Sequence, residues 1–353
     1  MISELARSAS DGRFDPSLAL RASGFELQAN RGTIMSEIGE SQLSKSAVVA
    51  FLLGLASPLF SLAAALPALF LGLRAVRAIN GSDGRLRGRR LAVAALVLAS
   101  VTTLVTVLGF VALLLLYVQD KSYLAGCTNN LRLIGQAVNR YSDHDNGHFP
   151  PATVANASLA PERRLSWVSA ILPYLAEGTP AGKKWVELSG EIEFKEAWDA
   201  PANAAPPRKN VAPFLCPAFV RGLSPGQNGL TAYVGVAGVG VDAADLPLTD
   251  PRAGFFGYDR RPTRADISAG ISNTMMVVET AHQNGPWLAG GAPTTRGLDP
   301  DCEDYIGRGR PFGGLHREGL NALWADGSVQ RVNENVTPKA FRASARIARE
   351  NDN

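Results

Sequence analysis

The sequence predicts an α+β protein with two transmembrane helices, the second continuing as a long helix that packs on an antiparallel sheet. Three observations carry this prediction. Residues 47–73 and 91–118 contain no charged side chain, and about 20 apolar residues suffice to cross a bilayer. Beyond Gln119, Asp120 and Lys121, the positions Leu124, Cys127, Leu131, Ile134, Val138 and Tyr141 recur every three or four residues, the mark of an amphipathic helix with one buried stripe. From residue 231 onward the helical period gives way to short β-type runs, TAYVGVAGVGV (231–241), TMMVVET (274–280) and LNALWADGSVQRV (320–332), bounded by turn residues.

In chain order, residues 1–45 are polar, mixed in charge and without a sustained period, a composition expected to be disordered. Gly24-Phe25-Glu26-Leu27 has the letters of a prepilin processing site, but Gln28, Asn30 and Arg31 follow where an apolar run is required, and the reading is rejected. Met35 stands beside Met1 as a candidate start. Residues 46–118 are expected to form a two-helix membrane hairpin. Pro58 and Pro67 kink its first helix, which membrane helices tolerate because neighbouring groups satisfy the freed carbonyls. The apolar run is too long and too far from Met1 for a cleaved signal peptide.

The formal net charge of +3 is an uneven average. Six arginines against Asp83 give the loop 74–90 a net +5, whereas residues 1–46 and 119–353 each carry −1. A short basic loop between two spans belongs in the cytoplasm, so both termini are expected outside. The positive charge is thus topological. It points to a lipid bilayer as partner and away from nucleic acid.

In residues 119–353, Asn146-Gly147 and Pro150-Pro151 stop the long helix. SWVSAILPYL (166–175) reads as a short helix with Trp167, Ile171 and Leu175 on its core side. A Pro/Ala-rich connection (200–213) leads to FLCPAF (214–219), a strand-like run, and GFFGY follows at 254–258. Asp326-Gly327 sits between Ala322–Ala325 and Val329–Val332, a dipeptide suited to a tight type I′ hairpin turn.

Two family resemblances follow from these residues. LGLRAVRAI (71–79), GSDGRLRGRR (81–90) and the following LAVAALVLA make residues 45–118 resemble the bacterial two-span module called domain of unknown function 4190, which implies a membrane hairpin and no activity. CTNNLRLIGQAVNRYSDHDNGHFPP (127–151), SWVSAILPYL, FLCPAF, AYVGVAG (232–238), ISNTMMVVE (271–279) and LHREGLNALWADGSV (315–329) occur in the order seen in the domain of unknown function 1559 family. That family comprises bacterial prepilin-like envelope proteins with a closing signature of His, nine residues and Asp-Gly. The signature corresponds here to His316, Asp326 and Gly327, with Ser328 following. The resemblance covers about residues 120–345. It implies a type IV pilin-like fold. Joined to the topology read from the basic loop, it makes the expected location the bacterial inner membrane with both termini periplasmic, and the expected partners other envelope proteins or surface polymers. Relatives carry a short leader and a GFTLIE-like site just before the helix, where this chain has a hairpin. ARIAREND (345–352) also lacks the glycine pair expected near the end. A fixed envelope component is therefore expected rather than a filament subunit.

The candidate site residues each have a simpler structural reading. Cys127 on the helix stripe and Cys216 before a proline are candidates for a disulfide clamping sheet to helix, or for two small buried apolar residues, with Cys302 left over. The absence of a Cys-X-X-Cys pair argues against a structural zinc site, and the metal is left undefined. His316 and Asp326 could join Ser272 or Glu279 in a hydrolase, but GISNT (270–274) lacks the second glycine of a nucleophile elbow. The favoured reading has Asp326 making the turn and His316 bonding a neighbouring loop, with no enzymatic activity. Asp299, Asp301, Glu303 and Asp304 form an acidic loop able to offer oxygens to Ca2+ but without the EF-hand pattern. Trp287, with Gly290 and Gly291, marks a turn that could stack a carbohydrate, and Gly238-Val239-Gly240 is no dinucleotide loop because a helix cannot follow it. A non-enzymatic envelope protein with a pseudopilin-like domain is thus expected first, and a periplasmic carbohydrate- or cation-binding protein second.

Overall fold

The structure is a computed structural model that describes residues 62–82, 85–224 and 226–349, together with 42–43, 45–46 and 49. The expectation of disorder over residues 1–45 and the first half of the apolar run 47–73 lie almost entirely outside the described residues. The chain divides into two compact units, residues 1–115 and 116–353.

In the first unit, β1 (Gln42–Leu43) pairs in parallel with β2 (Leu86–Arg87). Helix α1 (Leu62–Asn80) carries Pro67 inside it and ends at a turn where the Ser82 hydroxyl donates to the Ile79 carbonyl and accepts from the Leu86 amide. Helix α2 (Arg89–His144) begins after Gly88 and runs without interruption for 56 residues, through the end of this unit into the next. Small side chains let α1 and α2 meet: Ala75, Ile79 and Ala92 form one buried cluster, and a Cβ on Gly72 would come within 2.9 Å of Leu96. Beyond that contact α2 turns large apolar side chains outward, with Phe110 67% and Leu113 68% exposed. Of the described helices, α2 is long and apolar enough to cross a membrane. The three threonines of its apolar stretch are satisfied within the helix, since Thr102, Thr103 and Thr106 donate to the carbonyls four residues earlier at 2.7–2.8 Å, as a medium without water requires.

In the second unit the remainder of α2 buries Cys127, Leu131, Ile134, Ala137 and Val138, the predicted stripe. Helices α3 (Trp167–Ile171), α4 (Pro180–Gly190) and α5 (Pro217–Val220) precede five strands, β3 (Tyr233–Val239), β4 (Met275–Glu279), β5 (Thr295–Leu298), β6 (Gly319–Trp324) and β7 (Val329–Asn333), and α6 (Pro338–Ser344) closes the unit. The sheet order is β5-β3-β4-β6-β7.

Three expectations need correction. The sheet is mixed, because β5 runs parallel to β3. β4 ends beside Tyr233 at the start of β3, the connection bridges to Leu230 through Pro286, and β5 begins beside Gly235, so the chain reverses relative to β4 and ends up codirectional with β3. Next, FLCPAF is not a strand. Residues Ala212–Phe214 form a 3-10 turn and Pro217 opens α5, where its fixed φ and missing N–H suit a first helical position. The Asp326-Gly327 turn is not type I′, since Gly327 has φ 86° while Asp326 is not among the residues with positive φ. The Gly327 amide donates to the Trp324 carbonyl and the Trp324 amide to the Ser328 carbonyl, the three-residue loop in which an ordinary turn is followed by one left-handed glycine. Beyond these, the sheet is covered on both faces. Tyr233, Met276, Val277 and Leu323 share a core with α2, whereas Val234, Val236, Val278, Leu320 and Ala322 pack with Tyr305, Phe312 and Phe341 of α6. A bulge between Met275 and Val277 places both Met276 and Val277 on the α2 side.

Candidate functional site

The residues with unassigned chemistry converge where α2 faces the sheet. Cys127 comes from the buried stripe of α2, and Cys216 is the residue just before α5. The two form a disulfide with Cα atoms 5.1 Å apart. A Cβ on Gly126 would lie 3.0 Å from Pro217 Cγ, so the glycine preceding Cys127 lets the two segments approach this closely. Glu279 ends β4, Asn321 lies on β6, and His316 precedes β6.

His316 Nε2 sits 3.2 Å from Cys127 Sγ, 3.3 Å from Cys216 Sγ and 3.6 Å from Glu279 Oε1. The side chains of His316 and Glu279 are 2% and 0% exposed. His316 thus packs on the disulfide through Nε2, and its Nδ1 has no hydrogen-bond partner among the described residues. Glu279 is held by Asn321, whose backbone amide donates to Oε2 at 2.7 Å and whose Nδ2 donates to Oε1 at 2.9 Å. Burial pushes the Glu279 carboxyl up to about 7, with the Asn321 hydrogen bonds and the charge of Arg331 opposing it. Burial and Arg331 lower the pKa of His316, against the charge of Asp120. Burial, followed by the Glu279 charge, raises that of Tyr233.

This buried carboxyl has a measurable signature. Because its folded pKa lies above the ordinary 4.5, the folded state holds a proton that the unfolded chain has released. Its contribution is therefore full below about pH 4.5 and is lost as pH rises through about 7, with a slope of at most about 1.4 kcal/mol per pH unit. His316 acts in the opposite sense, losing stability as pH falls below its ordinary 6.5. Denaturant midpoints of the oxidised full chain at pH 5 and pH 8 should show Glu279→Gln gaining on the wild type as pH rises. A pH-independent difference between the two proteins would refute this.

The other predicted residues lie elsewhere. Asp326 Oδ1 accepts from the Ser328 amide at 2.8 Å and the Asp326 amide donates to Ile271 O, so the two ends of the His-X9-Asp-Gly signature serve different contacts. Ser272 is exposed, at the opposite end of β4 from Glu279. Trp287 is fully buried and its Nε1 donates to Lys209 O at 2.9 Å, which corrects its reading as a stacking platform. Asp299, Asp301, Glu303 and Asp304 are exposed. Asp299 caps the Asp301 amide, Asp304 pairs with Arg310, and among the described residues these carboxylates do not converge as the Cys127, Cys216, Glu279 and His316 ligand atoms do. Cys302 is free, its thiol donating to Asp304 O.

Two features escaped the sequence. Arg260, 6% exposed, donates to the carbonyls of Ala237, Ala243, Leu246, Gly254 and Phe256, and burial lowers its pKa to about 10. A cavity of about 450 Å³ opens between β7 and α6, lined by Met275, Trp324, Val332, Val336 and Phe341 among others, and the buried Trp324 Nε1 has no partner among the described residues.

Compared with known proteins, residues 125–298 match the family described as "Protein of unknown function (DUF1559)". The match begins beyond both apolar runs and so does not reach residues 45–118, where a likeness to domain of unknown function 4190 is expected. No curated protein and no solved structure matches the chain.

Proposed function

Through residues 125–298 this chain belongs to the DUF1559 family of proteins of unknown function, and on that premise we propose that it is a non-enzymatic, membrane-anchored envelope protein. Its pseudopilin-like domain engages other envelope proteins or surface polymers. The observation that carries this reading is the change of surface along α2: outward-facing apolar side chains up to Val118, then a stripe buried in a folded domain from Cys127. Apolar surface of that extent marks a contact with lipid or protein. The cavity beside β7, with Met275, Val332, Val336 and Phe341 among its lining residues, is suited to a partner's apolar side chain.

The expected topology has two spans and a cytoplasmic loop at 74–90, with both termini in the periplasm of a bacterial inner membrane. A phosphatase reporter fused after residue 353 should be active, and one fused within 81–88 inactive. The reverse pattern would sink the orientation. Carbohydrate binding at the loops around Trp287 and Asp301 is the weaker alternative, because the indole that would stack a sugar is buried in the core.

A further inference from the structure

We propose that reduction of the Cys127–Cys216 bridge turns this cluster into a four-ligand site for a borderline-soft divalent cation of the zinc class, held by two thiolates, His316 Nε2 and Glu279 Oε1. The four ligand atoms already lie within 4.8 Å of one another. A tetrahedral zinc site with Zn–N of about 2.0–2.1 Å and Zn–S of about 2.3 Å has ligand-to-ligand edges of roughly 3.3–3.8 Å. The 3.2, 3.3 and 3.6 Å separations that His316 Nε2 makes with the two sulfurs and the carboxylate are close to those edges. The sulfur pair is too close only because it is bonded, and breaking that bond frees it to separate.

The disulfide state also leaves His316 poorly used. Its side chain is 2% exposed, Nδ1 has no partner among the described residues, and Nε2 faces sulfurs that accept hydrogen bonds weakly. A buried polar group without good partners is costly, and coordination gives Nε2 a strong one. The carboxylate is already oriented as a metal ligand usually is, by hydrogen bonds from a neighbour, here both donors of Asn321. Thiolate and imidazole select zinc-class ions over Ca2+ and Mg2+. Asn321 is a positioning residue rather than a ligand.

The step balances with a dithiol as reductant. The dithiol delivers two electrons and two protons, the S–S bond breaks to give two thiols, and the reductant leaves as its own disulfide. The cation then displaces the two thiol protons, and the Glu279 proton where the carboxyl carries one, to solvent as the two metal–sulfur bonds and the metal–oxygen bond form.

The test uses the untagged full chain in detergent, carrying Cys302→Ser so that only the two site cysteines can respond. The protein is reduced with a phosphine, cleared of reductant and titrated with Co2+ under anaerobic conditions, with circular dichroism in parallel. The expected result is thiolate-to-cobalt charge transfer and tetrahedral d–d bands that saturate at one ion per chain. They should be absent from the oxidised protein and displaced by one equivalent of Zn2+. Asn321→Ala should keep the spectrum and weaken binding by about 10- to 100-fold, and His316→Ala should lose the tetrahedral bands. If reduction unfolds the chain, refolding by one equivalent of Co2+ supports the site, and failure to refold overturns it. A folded, reduced chain without tetrahedral bands overturns it equally, as does binding that survives Cys127→Ser with Cys216→Ser.

Discussion

Replacing Cys127 and Cys216 together with alanine should lower the stability of the second unit by about 4–5 kcal/mol. The bridge spans a sequence separation of 89 residues, and in the chain-entropy account a loop of that length makes the unfolded state less favourable by about that amount. Both cysteines are completely buried in the core shared with α2, so the lost sulfur contacts act in the same direction. For a unit of this size the midpoint of thermal unfolding should fall by about 10–15 °C. The comparison is made on the oxidised full chain with a chelator present, so that metal cannot replace the bridge. A shift below about 3 °C would show that the bridge constrains a part of the chain that stays ordered on its own. Cys302→Ser, at a free and half-buried position, should leave the midpoint unchanged.

Arg260→Leu should be at least as damaging, at about 4 kcal/mol or more. The guanidinium of Arg260 serves five carbonyls, that of Ala237 in β3 and those of Ala243, Leu246, Gly254 and Phe256 in the segment after it. Each buried acceptor left without a donor costs about 1–3 kcal/mol, and relaxation of the loop recovers only part of the total. Burial lowers the Arg260 pKa only to about 10, so the group stays charged at neutral pH and its hydrogen bonds are charge-assisted. Lysine keeps the charge but not the planar fork, and Arg260→Lys should recover less than half of the loss. Chemical denaturation of the purified variants checks this, and a loss below about 1 kcal/mol for Arg260→Leu would refute it. Arg261→Leu is the matched control, because its neighbour's contact is a single exposed ion pair with Asp145, and such pairs contribute little.

That pair of arginines illustrates what was legible in the sequence. Nothing in two adjacent arginines says which one enters the core, because the choice depends on five carbonyls brought together by residues 237–256. The long helix was readable because its period persists for many turns: the stripe from Cys127 to Val138 is buried as its spacing requires. The β6–β7 hairpin was readable for the same local reason, although the turn uses one left-handed residue rather than two. β5 carried almost no signal. Thr-Arg-Gly-Leu has no alternation, and its direction is set by the course of the connection from β4. Helix α4 was missed because it buries little beyond Gly182, Trp185 and Leu188. Its start was nevertheless written in Thr179-Pro180, where the threonine hydroxyl accepts from the Gly182 amide.

The candidate site was half legible. His316 and the two cysteines stand out as residue types, but their meeting is a long-range event between positions 127, 216 and 316. Glu279 stood out only as a possible hydrolase partner and not as a core residue, since a carboxylate closing an apolar strand usually faces water. The bulge in β4 and the two Asn321 hydrogen bonds put it in the core, and neither can be deduced from a window of a few residues.

The order of strands in the sheet has one more consequence. All five residues of β4 are buried, and β4 is interior only because β6 and then β7 add to it from the last part of the chain. A polypeptide ending after β5 would hold β4 as an open and almost entirely apolar edge, the kind of strand that templates pairing with other chains. Residues 319–333 therefore act as edge protection for the rest of the sheet. β7 takes the outer place in a form that resists further pairing: the strand is short, and its Gln330 and Arg331 face solvent.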